Sequence, residues 1–279
     1  MGRRILTQKT MREVRTRVVF CYLCGASLPP RRLPGYRENV LGEHVIPRSL
    51  LGTPPVEVKD RWAVELNVHR ACEQRHKQEG DHFVRLLHSI HLNPPEEWAK
   101  TGHIRRTGVR PTIAIDSDRR LAVPALSGIT PMLTAVWRWV TGVHAALYGT
   151  PLDAGDHWSR VLPPVPAFGD DAQGVPLEIC EEHSRLIMQV LQIAVRRDKW
   201  DGIVAWGTAV DFRCVWWKRP HNRRKPPWVC FWALIVPGVI DWSRQVLPGG
   251  MERPWHGSFV CQEAPPACSV LSPEDFPAA

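Results

Sequence analysis

Two pairs of potential metal ligands stand in the first third of the chain, each with two residues between its members. Cys21 and Cys24 form the first pair, and His69 and Cys72 form the second. Zinc prefers a tetrahedral set of thiolates and imidazoles, and two ligands on one tight turn fit two corners of that set. The spacing therefore predicts a structural Zn²⁺ held by all four side chains.

Disulfide bonding is the alternative use of the eight cysteines. The sequence shows neither a secretory signal nor a long uninterrupted apolar stretch, so we expect a cytoplasmic protein without a membrane span, in which cysteines bind metal. The other cysteines give no strong metal signal. Three of them lie in apolar runs, where we expect buried free thiols: Cys180, Cys214 and Cys230.

Between the two ligand pairs, Glu43 places a carboxylate directly before the imidazole of His44, in the segment Glu-His-Val-Ile-Pro. Adjacent residues of a strand point to opposite faces. Both side chains can therefore serve one site only if the strand ends there.

Taken in order, Cys-x-x-Cys, Glu-His-Val-Ile-Pro-Arg-Ser-Leu-Leu-Gly and His-Arg-Ala-Cys-Glu resemble the HNH endonucleases that have a zinc-bound ββα-metal core. The resemblance spans residues 20–81. It implies metal-dependent hydrolysis of phosphodiester bonds, with His44 as the general base that activates water. It also implies that Glu43 binds a catalytic divalent ion, Mg²⁺, Mn²⁺ or another, which stabilises the leaving group.

The sequence departs from this family in two places. The family has Asn or His directly after the last zinc cysteine, where this chain has Glu73, a competent hard ligand for Mg²⁺ or Mn²⁺. His76, one helical turn later, is close enough in sequence to be a substitute or additional ligand. The middle Asn of the family falls on Val64, and Asn67 is out of register. A zinc-stabilised nucleic-acid-binding protein without catalysis therefore stays open as the alternative.

Positive charge is concentrated at the N-terminus. The chain carries a net charge of +8, and within residues 1–40 nine Arg and Lys face only Glu13 and Glu38. Such a surface attracts polyanions, although residues 1–17 could equally be a solvated basic arm. We expect DNA as the substrate, with RNA as the alternative. Four basic residues near the motifs are expected to contact nucleic acid: Arg48, Arg70, Arg75 and Lys77.

The pattern of apolar residues predicts an α+β protein with two domains. Residues 1–95 would form the HNH module, with a strand-like run at 18–20, a helix-compatible stretch at 65–78 and a helix over 80–91 that Pro94 and Pro95 terminate. Residues 96–279 would form an α+β domain of unknown role. A third possibility is that this second domain is the main functional unit.

Two long helices and an antiparallel sheet are predicted for the second domain. Pro131 and Gly149 bracket the first helix, and the second covers residues 177–197. Residues 202–217 and 228–240 are rich in β-formers and predict paired strands. The basic loop between them could bind phosphates beside tryptophan or be an exposed hairpin tip. The Pro-rich tail from residue 262 is expected to be loose.

Overall fold

A computed structural model describes residues 4–6, 8–47, 64–75, 110–116, 119–125, 130–152, 159–162, 177–204, 211–220, 226–236 and 255–276. Helices and strands are mixed in these residues, which confirms the α+β class. The predicted domain boundary at residues 95 and 96 lies outside this part of the chain, as do the predicted helix over 80–91 and the central residues of the basic loop.

The strands are β1 (Ile5–Leu6), β2 (Val40–His44), β3 (Glu65–His69), β4 (Arg110–Asp116), β5 (Arg119–Ala125), β6 (Ser159–Leu162), β7 (Asp201–Val204), β8 (Asp211–Lys218), β9 (Trp228–Ile235), β10 (Trp255–Cys261) and β11 (Val270–Leu271). The helices are α1 (Gln8–Arg17), α2 (Tyr36–Asn39), α3, described over residues 70–75, α4 (Thr130–Tyr148) and α5 (Leu177–Arg196), and a 3₁₀ turn covers Pro273–Asp275.

In the described part of the chain, seven strands form the main sheet, in the order β1-β7-β8-β9-β10-β6, with β11 also beside β8. The short strand β1 is parallel to β7, and the short strand β11 is parallel to β8. The other strand pairs of this sheet are antiparallel. Helices cover both faces of this sheet, so successive residues at 214–216 in β8 are all buried. This explains the continuous apolar runs in these strands. In a sheet with one solvated face, apolar and polar residues would alternate along each strand.

Helix α4 is a core element. Every residue from Trp139 to Tyr148 is buried, as expected of a helix covered on all sides. Towards the sheet, Trp137 meets Phe259 edge to face, with ring centroids 5.7 Å apart. On its other side α4 packs against the N-terminal segment, and side chains from both predicted domains therefore share one hydrophobic cluster.

Gly142 of α4 lies in close contact with the N-terminal segment. A Cβ atom added there would lie 2.5 Å from Cγ1 of Val45 and 3.0 Å from the Tyr22 ring. Only glycine allows so close a contact. Arg138, one helical turn earlier, lies on the same face of α4 as Gly142.

The N-terminal segment is built on an antiparallel hairpin of β2 and β3, in which Glu43 pairs with Leu66 and His44 with Glu65. Helix α3 begins directly after β3. The order is therefore strand, strand, helix. Helix α1 lies against the hairpin, and Arg15 of α1 forms a 2.7 Å ion pair with Glu65.

Buried Asp201 connects distant parts of the chain. Its carboxylate accepts hydrogen bonds from the backbone N–H of Arg4 at 2.9 Å and from the Tyr148 hydroxyl at 2.8 Å. The backbone N–H and the hydroxyl of Ser269 each donate at 2.7 Å. A buried carboxylate needs such donors, and this one holds β1, α4 and the C-terminal tail to β7.

Several predicted elements are confirmed. Helices α4 and α5 match the predicted ranges to within a residue, and Gly149 takes the left-handed conformation (φ +70°) expected of a C-terminal cap. Strands β8 and β9 pair antiparallel as predicted, but the range 202–217 contains two strands, β7 and β8, which also pair antiparallel with each other. Cys214 and Cys230 are buried free thiols. The side chain of Cys180 lies outside the described residues.

Four predictions of local structure are wrong. Residues 65–69 are a strand, because β2 supplies a pairing partner that outweighs their helix-compatible composition. The arm over 1–17 contains β1 and α1, whose Val14 is buried. In the run at 18–20, only Phe20 makes a bridge, to Ser27. The tail is not loose, because β11 pairs with β8 and Leu271 is buried.

Candidate metal centre and adjacent acidic site

The first two cysteines stand on a tight turn. The Phe20–Ser27 bridge closes this turn, and the backbone N–H of Gly25 donates to the carbonyl of Cys21 at 2.7 Å. Gly25 has a φ of +73°, a left-handed conformation that glycine adopts without strain. The turn brings the thiols of Cys21 and Cys24 to the same side.

The other two ligands stand where β3 passes into α3. His69 is the last residue of β3, and Cys72 lies in the first turn of α3. The Cys24 Sγ atom lies 3.4 Å from Nδ1 of His69, and the backbone N–H of His69 donates to Sγ of Cys21 at 3.4 Å. All four ligand atoms lie within 4.8 Å of one another.

This geometry fits a zinc ion. Tetrahedral bonds of ordinary length to Zn²⁺ separate a sulfur from a nitrogen by about 3.6 Å and two sulfurs by about 3.8 Å. The distance of 3.4 Å between Cys24 and His69 is close to the first value. The chain therefore has a Cys₃His cluster that can hold a metal such as zinc, as the sequence predicted.

Two thiols of this cluster, those of Cys21 and Cys72, are difficult to ionise without a cation. Burial raises the pKa of Cys21. Burial and the neighbouring thiols of Cys24 and Cys21 raise the pKa of Cys72 to about 12. Because metal ligation requires the thiolate, a bound ion would supply the positive charge that reverses these shifts.

A second group of charges lies on the α4 side of the hairpin. The Glu43 carboxylate forms an ion pair with the guanidinium of Arg138, and the two side chains are 20% and 11% exposed. Burial alone would lower the pKa of Arg138, but Tyr22, Glu43 and Glu73 together hold it above its usual value. Glu73 is itself buried. Glu43 therefore contacts this cation directly, and Glu73 stabilises its charge from a different element.

Tyr22 and Arg138 were not predicted as members of this site. Burial raises the pKa of the Tyr22 hydroxyl, and the charge of Arg138 opposes that rise. Arg138 is the single Asp, Glu, Lys or Arg residue in the sequence of α4. An isolated arginine in an apolar helix requires a buried partner, and this signal could have identified it.

His44 is half-buried and ends β2, with a bend at Val45 and Ile46. Strand alternation directs Glu43 towards α4 and turns Gly42 and His44 towards the other face. The side chain of Glu65 occupies this other face beside Gly42. A shared site therefore requires a departure from regular strand geometry at His44, where the strand ends.

The remaining predicted site residues are not all described, and those that are described lie in different surroundings. His76, Arg48 and Lys77 lie outside the described residues. Arg75 is exposed on α3. The guanidinium of Arg70 donates to the backbone carbonyls of Glu38 at 2.8 Å and Arg37 at 3.2 Å, so it stabilises the C-terminal end of α2.

Neither of the two positions related to the middle Asn of the family supplies a polar side chain on the Glu43 face of the hairpin. Val64 is half-buried, next to β3. Asn67 is buried and accepts a hydrogen bond from Nε of Arg15 at 3.1 Å. It faces α1, on the opposite side of the hairpin from Glu43, and so does not replace the middle Asn of the HNH family at the acidic site.

Comparison with family models, with curated proteins and with solved structures finds no match to this chain. Among the helices in the described part of the chain, none has the length and apolar character to cross a membrane.

Proposed function

We propose that this protein is a metal-dependent endonuclease of the HNH type that hydrolyses phosphodiester bonds in DNA. The observation that carries the proposal is the ion pair of Glu43 with Arg138, a cation whose charge the buried Glu73 also stabilises. The order of strand, strand and helix and the Cys₃His cluster beside them support it. The net charge of +8 suits a polyanionic substrate.

The donor set at this site suits Mg²⁺ or Mn²⁺, which prefer carboxylate oxygens. Such an ion, held by Glu43 and Glu73, would stabilise charge on the phosphate and on the departing sugar oxygen. With its side chain turned towards the acids at the end of β2, His44 would accept the proton of the attacking water at an imidazole nitrogen. The Cys₃His cluster would fix the start of α3, and with it Glu73, without taking part in the reaction.

Nicking of supercoiled plasmid tests this function. The zinc-loaded protein is assayed with Mg²⁺, Mn²⁺, Ni²⁺ or added Zn²⁺, beside a metal analysis of the purified sample. We expect nicking in at least one of these metals and its loss in Glu43→Gln. Glu182→Gln is the control, because Glu182 is an exposed acid on α5. Equal nicking by the protein and by Glu43→Gln would contradict the proposal.

A second function, nucleic-acid binding without cleavage, is favoured by one observation. The Glu43 carboxylate, the proposed ion ligand, is engaged by a buried guanidinium. Gel-shift measurements on duplex DNA and on RNA separate the two functions. Salt-dependent binding without nicking in any of the four metals would favour the second one.

A further inference from the structure

Helix α4 contributes one charged side chain to the acidic site. The guanidinium of Arg138 contacts Oε1 of Glu43, and the Glu73 carboxylate acts on the same group. Arg138 is 11% exposed on its side chain, so little water is available to screen these interactions. The two carboxylates and the guanidinium together carry one net negative charge.

A divalent ion and this guanidinium would compete for the same oxygen. An ion bound at Oε1 of Glu43 would lie within a few ångströms of Arg138, and two cations that close repel each other strongly in a partly buried place. We infer that Arg138 is a resident cation of the acidic site, which a divalent ion must displace from Glu43. This inference rests on the proposed function, since it concerns the same acids.

The position of Arg138 depends on the C-terminal region. Arg138 shares a face of α4 with Gly142, which contacts Val45, while Trp137 meets Phe259 in β10. The helix is thus held between the hairpin and the main sheet. Any change that moves α4 would move the guanidinium, so the affinity for the ion is set partly by residues that lie far from it in sequence.

The affinity for Mn²⁺ tests the inference, measured by electron paramagnetic resonance on zinc-loaded protein. Replacing the guanidinium by a neutral group, in Arg138→Gln or Arg138→Met, should tighten Mn²⁺ binding by at least about tenfold. Arg138→Lys keeps the charge and should bind Mn²⁺ like the unmodified protein. Arg15→Gln is the matched control, because it removes a positive charge from the opposite side of the hairpin and should leave the affinity unchanged.

Circular dichroism and zinc content verify that each variant is folded. Adding Glu43→Gln to a neutral Arg138 variant should abolish the tightened binding, which locates the ion at this acid. Mn²⁺ affinity that is unchanged or weaker in the neutral variants would overturn the inference, as would tenfold tighter binding in Arg138→Lys.

The same samples distinguish this inference from the proposed function. Tighter Mn²⁺ binding through Glu43, with no nicking by any variant, would support the inference and contradict the nuclease function. Nicking by the unmodified protein, with no tightening in the neutral variants, would contradict the inference alone.

Discussion

His144 should make the stability of the protein depend on pH. It is buried in α4 among the rings of Tyr148, Trp216 and Phe259, and neither ring nitrogen makes a hydrogen bond of good geometry to the residues that the structure describes. Burial lowers its pKa from 6.5 to about 4, against an opposing contribution from the backbone of Thr150. The folded protein therefore keeps this imidazole neutral under conditions in which the unfolded chain protonates it.

The sign and size of the effect follow from these two pKa values. Above pH 6.5 the imidazole is neutral in both states and contributes no pH dependence. As the pH falls from 6.5 towards 4, only the unfolded chain takes up the proton, so the free energy of unfolding decreases. The loss is about 1.4 kcal/mol per pH unit and about 3 kcal/mol when complete.

Urea unfolding at pH 7 and pH 5 measures this effect, with His144→Phe as the reference. Phenylalanine keeps an aromatic ring among the same neighbours but cannot be protonated. Other titrating groups, including the zinc ligands, are present in both proteins and cancel. We expect the unmodified protein to lose about 2 kcal/mol more than His144→Phe between the two pH values. Equal losses would refute the reasoning.

Three further predictions concern stability. Cys72→Ser, or removal of zinc by a chelator, should lower the melting temperature and abolish zinc binding, because metal ligation contributes to folding. Calorimetry and metal analysis measure these two effects, and an unchanged melting temperature would contradict the prediction. Gly142→Ala should lower the free energy of unfolding by about 1–3 kcal/mol, because the added methyl group clashes with Val45. Urea titration measures this free energy, and an unchanged value would refute the prediction. Asp201→Ala should cost about 3 kcal/mol, because four donors lose their acceptor; chemical denaturation measures the change, and a loss below 1 kcal/mol would disprove it.

Local signals were sufficient to predict the two long helices and the Cys₃His cluster. The apolar stripe and the flanking Pro131 and Gly149 define α4 without knowledge of what surrounds it. The four metal ligands are recognisable because their spacing follows directly from coordination geometry. Both features depend on residues near each other in sequence or on a fixed ligand chemistry.

Features that depend on distant contacts were not predictable. Residues 65–69 form a strand because β2 lies beside them, and the two-residue strand β11 is ordered by β8. The ion pair between Arg138 and Glu43 joins positions 95 residues apart. No local pattern of apolar residues specifies which acid a buried arginine will meet, so the participation of α4 in the acidic site required the structure.

The central claim is that the hairpin and α3 assemble a hydrolytic site in which His44 activates water. Its most direct test is the single-turnover rate of plasmid nicking by His44→Ala, in the metal that supports nicking. We expect the rate to fall by at least about 100-fold, with zinc content and circular dichroism unchanged. The control is His183→Ala, which removes an imidazole bonded to Ser258 in the main sheet and should nick normally. A His44→Ala protein that nicks as fast as this control would contradict the account.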